Sequence, residues 1–122
     1  MSDRTFSPAE ANAELPELRE RLPRLRDARH ALIASSERIT DAVGADGGGV
    51  EGGDWFRAQQ SLETEVRWLA DRGILLRDPE SGLVDFPHEL EGRTVFLCWK
   101  LGEGNVGYYH ETHAGYGSRK PL

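Results

Sequence analysis

Ile74-Leu-Leu-Arg-Asp78, Pro79-Glu-Ser-Gly82, Leu83-Val-Asp-Phe86: two short apolar runs flank a proline-to-glycine reversal, and reading them as a β-hairpin decides the fold. Proline presets the bend, and glycine accepts the positive φ that a tight return demands. The same grammar continues downstream. Glu89-Leu-Glu-Gly92 makes a second turn, Arg93 to Leu101 reads as the strongest strand, Gly102-Glu-Gly-Asn105 turns again, and Val106 to Thr112 reads as a fourth strand. Within the third strand Val95, Leu97 and Trp99 share one face, while Phe96 and Cys98 share the other. Two apolar faces place that strand in the centre of the sheet, covered by helices on one side and by a candidate partner subunit on the other. The last residues, 114–122, read as an irregular tail.

Upstream of Gly73 the period is helical. Ser7-Pro-Ala-Glu10 is a capping box with proline at the first helical position, and Phe6 stands where a staple residue packs. Pro16 and Pro23 each remove a helical hydrogen bond, so the expectation is a short helix ending near Glu14, a long one starting close to Pro16, and a kink at Pro23. Leu15, Leu18, Leu22, Leu25, Leu32, Ile39 and Val43 then recur at alternating three-and-four spacing, with Arg29 and Ser36 interrupting the seam. That seam suits an oligomerisation helix or an amphipathic helix packed on its own domain. Gly44 to Gly53 reads as a flexible reversal. Asp54 caps a second helix with Trp55, Leu62, Val66 and Leu69 on one face and Gly73 as its left-handed end. Trp55, Phe56 and Trp68 recur at helical spacing and read as core.

The fold class is therefore α+β: a long antiparallel helical hairpin packed on a small antiparallel β-sheet of about four strands. Residues 1–122 form one domain, with the hairpin at 7–43 and 54–72, the Gly-rich loop at 44–53, the β-meander at 74–113 and the tail at 114–122. A chain of 122 residues has room for one modest core. A net charge of −6 argues against nucleic acid, whose affinity rests on clustered Lys and Arg. No signal peptide opens the chain and no apolar run reaches spanning length, so the expectation is a soluble cytoplasmic protein without a membrane partner. One cysteine cannot staple the fold internally. The seam and the doubly apolar strand both ask for extra cover, which makes a homodimer the expected assembly.

Four blocks carry a family likeness: Gly73-Ile-Leu-Leu-Arg-Asp-Pro-Glu-Ser-Gly-Leu-Val-Asp-Phe-Pro87, Val95-Phe-Leu-Cys-Trp-Lys-Leu-Gly-Glu103, Tyr109-His-Glu111 and Gly115-Tyr-Gly-Ser-Arg119. Together they resemble the signature of a bacterial family catalogued as domain of unknown function 2203, over essentially the whole chain. The resemblance implies no activity, substrate or cofactor.

Chemistry concentrates in the same segments. Asp85, His88, His110, Glu111 and His113 are donor types for zinc or iron. His110-Glu-Thr-His113 is one residue short of the helical His-Glu-x-x-His arrangement, and on a strand His110 and Glu111 point to opposite faces. A site would need His110 with Asp85 from a neighbouring strand, or Glu111 with His113 near the strand end. The structural alternative is a buried His110 hydrogen-bonded to Asp85 or Glu111. Asp85 lies between apolar residues, where a carboxylate needs a partner, and Arg93, Arg119 and His110 are candidates. Cys98, mid-strand among large apolar neighbours, reads as an inert core thiol. Gly102 to Gly107 precedes a strand instead of a helix, which rejects a phosphate loop. Tyr108, Tyr109, Tyr116, Arg119 and Lys120 could form an anion- or partner-binding surface, or fold back over the sheet. Two functions follow: a small metal-binding protein using Zn or Fe, or a non-catalytic dimerisation or interaction module with a purely structural polar cluster. The pattern specifies no small-molecule ligand.

Overall fold

The computed structural model describes the backbone over residues 4–45 and 52–122 and the side chains over 4–37 and 53–122. Two helices, α1 (Pro8–Ala45) and α2 (Gly52–Arg72), precede five antiparallel strands. These are β1 (Leu75–Asp78), β2 (Leu83–Leu90), β3 (Arg93–Lys100), β4 (Tyr108–Glu111) and β5 (Lys120–Pro121), in spatial order β1-β2-β3-β4-β5. The α+β architecture is as the sequence indicates, with one strand more.

The capping box forms in both directions: Ser7 N–H donates to Glu10 Oε1 at 2.8 Å, and Glu10 N–H donates to Ser7 Oγ at 3.0 Å. Beyond it the expected break is absent, because α1 runs unbroken through Pro16 and Pro23. Each proline forfeits about 3 kcal/mol of helix. Against this, Leu15, Leu18, Leu22 and Leu25 are all at most 2 % exposed, and burying four leucines at roughly 1.5–3 kcal/mol each requires one continuous axis. The first half of the seam thus packs within the chain. Ile39 and Val43 lie outside the described side chains.

The second helix starts at Gly52, ahead of Asp54, and most of the expected Gly-rich reversal lies outside the described residues. Three contacts set the antiparallel pairing of α1 with α2: Glu14 with Arg72 at 3.3 Å, Arg21 with Glu65 at 2.6 Å, and Trp55 Nε1–H donating to Ser36 Oγ at 3.2 Å. The buried stripe of α2 is Ala58, Glu65 and Leu69, and Val66 faces outward. Glu65 takes the inward slot because Arg21 crosses from α1 to meet it. Phe56 is 68 % exposed, so the core role read for it does not hold; Trp68 is half-buried beneath Arg21 and Arg72.

Gly73 and Gly82 adopt positive φ, 76° and 73°, ending α2 and closing the β1–β2 hairpin. The second hairpin is tighter than a Glu89–Gly92 turn: β2 continues to Leu90, and Glu91 and Gly92, both at positive φ, form a two-residue loop. That loop fixes the register Asp85↔Cys98 and Phe86↔Leu97. Pro87 sits inside β2 at a point where β1 has ended, so no ladder bond is lost there, and its carbonyl accepts Phe6 N–H at 2.6 Å. The tail is not wholly irregular. Lys120 and Pro121 pair with Tyr109 and Tyr108, adding the fifth strand, while the fourth strand contracts to Tyr108–Glu111. The inner face of the sheet, Val84, Phe86, Leu97 and Trp99, closes the core against Phe6 and the α1 leucines.

Candidate metal centre

Strand alternation assigns the donors to faces before any distance is measured. Cross-strand partners point the same way, so Asp85, Cys98 and His110, paired with Cys98, Tyr108 and Phe96, all lie on the outer face, away from the helices. Asp85 and His110 sit on β2 and β4, about 10 Å apart across β3. Their side chains meet because the one between them is small: Cys98 lets His110 Nε2 come within 3.0 Å of Asp85 Oδ2. The carboxylate, thiol and imidazole donor atoms all lie within 4.8 Å of one another, and all three residues are buried.

The polar accounting around this cluster is incomplete. Asp85 Oδ2 accepts from Arg77 Nε–H at 2.8 Å as well as facing His110, while Asp85 Oδ1, in a residue 1 % exposed, has no hydrogen-bond partner. The His110 ring has oxygens on both sides, the Glu111 carbonyl 2.9 Å from Nδ1 and Asp85 Oδ2 from Nε2. A neutral imidazole can donate to only one of them. With Nδ1–H given to the carbonyl, Nε2 is a bare lone pair facing a carboxylate. The arrangement then needs a further proton or a cation between them. Burial pushes the Cys98 thiol up to about 11, and the Asp85 charge adds to the shift, so in the absence of a cation Cys98 is a protonated thiol.

Beside the cluster opens a cavity of about 320 Å³, with Arg77, Leu83, Asp85, His110, Thr112 and Tyr116 among its lining. Its roof is the chain's own segment between β4 and β5, including the short 3-10 turn Tyr116–Ser118. Arg119, which grips the Glu103 carboxylate and lies over the Tyr108 and Tyr116 rings, ties that segment down. The outer side of β3 therefore receives cover from within the chain. A larger groove of about 550 Å³ runs along the helices, lined by Arg24, Asp27, Ser35, Asp54 and Arg57, but no close group of three metal donors forms there among the described residues.

Of the five donors read from the sequence, Asp85 and His110 come together and three do not join them. His88 faces inward and its Nδ1–H donates to the Phe6 carbonyl at 2.6 Å. Glu111 also faces the other way, held by Arg93 through two bonds of 2.9 Å, which keep its carboxyl below the usual range. His113 is exposed beyond the end of β4. Of the partners read for Asp85, His110 reaches it, while Arg93 and Arg119 are engaged by Glu111 and Glu103; the further partner is Arg77, which sequence reasoning missed. Cys98 is the buried, protonated thiol that the sequence indicates, and what the sequence leaves out is its position beside Asp85 and His110. The signal for that position and for Arg77 is register: a two-residue loop at Glu91-Gly92 forces Asp85 opposite Cys98, and alternation along β1 puts Arg77 on their face.

The chain matches, over residues 4–122, the family described as "Uncharacterized conserved protein (DUF2203)". No curated protein and no solved structure matches it.

Proposed function

We propose that this chain, which belongs to the DUF2203 family, binds one transition-metal ion, zinc first and iron second, through Asp85, Cys98 and His110. The observation that carries this reading is that three buried donors, one each from Asp85, Cys98 and His110, lie within 4.8 Å of one another while Asp85 Oδ1 has no hydrogen-bond partner. Thiolate, imidazole and carboxylate together suit zinc. The His110 Nδ1–H bond to the Glu111 carbonyl selects the tautomer that leaves Nε2 for an ion, as the outer partners of metal-bound histidines do. Arg77 occupies Oδ2 and leaves Oδ1 as the ligand. A tetrahedral ion would need donor atoms roughly 3.3–3.7 Å apart, a spacing inside the 4.8 Å that bounds these three donors. Three protein ligands leave a fourth position toward the cavity, the arrangement of zinc sites that handle water or substrate.

Elemental analysis of protein prepared without a histidine tag tests this. Close to one zinc or iron per chain is expected, falling at least tenfold in Cys98→Ser and His110→Ala and unchanged in His113→Ala and Glu111→Gln. A folded wild type that takes up neither Zn²⁺ nor Co²⁺ on titration overturns it.

A second reading, self-association through the hairpin, is supported by exposed Ile33, Phe56 and Val66 and by a groove of about 630 Å³ lined by Leu32, Leu62, Val66 and Ala70. Light scattering at high concentration decides it: a strictly monomeric mass excludes a homodimer.

A further inference from the structure

We infer that the cavity beside the cluster binds a small monocarboxylate, clamped by the outer edge of the Arg77 guanidinium and completed by the open position of the metal. This rests on the metal reading above.

Arg77 is built for the task. Its Nε–H is committed to Asp85 Oδ2 at 2.8 Å, and its guanidinium carbon lies 4.9 Å over the Phe96 ring, so two contacts hold the plane of the group in place. Both Nη atoms lack hydrogen-bond partners among the described residues, and the side chain lines the cavity. A planar fork with two uncommitted donors, on a side chain that lines the cavity and is 42 % exposed, matches a carboxylate, and the Nε–H bond and ring contact that already orient it reduce the side-chain entropy lost on binding.

Charge selects the ligand's sign and size. A divalent ion is balanced by the Cys98 thiolate and the Asp85 carboxylate, so Arg77 leaves a single positive charge at the site. That complements one negative charge and disfavours a phosphate dianion. Lys100 packs on the Tyr116 ring, 4.7 Å from its centre, and does not line the cavity. A volume of about 320 Å³ corresponds to roughly ten waters, room for a carboxylate bearing a few further atoms. Leu83 and Ala114 offer the apolar contact for a short carbon chain, and the Thr112 hydroxyl a polar one.

The test uses the full chain loaded with Co²⁺, whose visible absorption reports its coordination. Pyruvate and lactate at up to about 10 mM should shift that absorption saturably, and inorganic phosphate should do so more weakly. Arg77→Met should weaken the pyruvate response at least tenfold, and Arg77→Lys, which keeps the charge without the fork, should weaken it to a lesser degree, each read at a Co²⁺ concentration that fully loads the variant. Co²⁺ that binds but does not respond to either acid overturns the carboxylate site while leaving the metal reading intact. So does a wild-type response in both Arg77 variants, or phosphate binding as tightly as pyruvate. Failure of Co²⁺ to bind at all overturns both.

Discussion

At the residue scale, the centre of this protein depends on how small Cys98 is. A thiol between two strands that are not neighbours leaves the gap through which Asp85 and His110 reach each other. Cys98→Leu fills that gap, and in the presence of a chelator it should cost about 1–3 kcal/mol in urea denaturation, against less than about 1.5 for Cys98→Ala. Asp85→Ala should cost more, on the order of 3 kcal/mol, because it takes from Arg77 the acceptor of its Nε–H bond and empties a buried position beside His110. Were it to cost under about 0.5 kcal/mol, the polar cluster would not be a structural element at all. The sequence flagged Asp85 as a carboxylate in need of a partner but could not choose among the arginines. That choice depends on which strand lies next to β2 and in what register, and neither is a local property.

At the element scale, local codes were legible wherever one residue does one geometric job. The capping box at Ser7 and Glu10 and the left-handed glycines at 73 and 82 formed as read. Gly82 is held by space as well as conformation: an added Cβ would meet Leu101 Cβ at 2.7 Å. Gly82→Ala should therefore lower stability by about 2 kcal/mol or more, measured by thermal melts, since strain at positive φ adds to the clash. The prolines were misread because their cost is local while the gain from buried leucines is shared along the helix. Pro16 is exposed and its nitrogen cannot bond the Asn12 carbonyl. Pro16→Ala should raise stability by about 1–3 kcal/mol and the melting temperature by several degrees; a decrease would mean that the proline shapes α1 against the sheet.

At the scale of the whole molecule, the C-terminal segment is the piece whose placement matters most, because it roofs the cavity and adds the fifth strand. Its anchor is the Arg119–Glu103 pair, with one bond of 3.0 Å from Arg119 Nη1–H to Glu103 Oε1. Arg119 holds the Glu103 carboxyl below its ordinary value in the folded chain. The unfolded chain then binds the extra proton first as pH falls, so the pair's contribution, on the order of 1 kcal/mol, is present above the unfolded value near 4.5 and lost as pH drops through the folded one. In urea melts from pH 7 to pH 3, wild type should lose its advantage over Glu103→Gln across that acid range; a constant difference would rule the pair out as the anchor. What the sequence determined by itself is the class and order of elements, because caps, turn glycines and apolar periods act within a few residues and need no distant partner. What only the tertiary structure decided is the site. Asp85 with Cys98, His110 apart from the Glu111 carboxylate and from His113, and Arg77 as the third party are set by strand order and register, in which groups 8 to 25 residues apart along the chain come together on one face of the sheet.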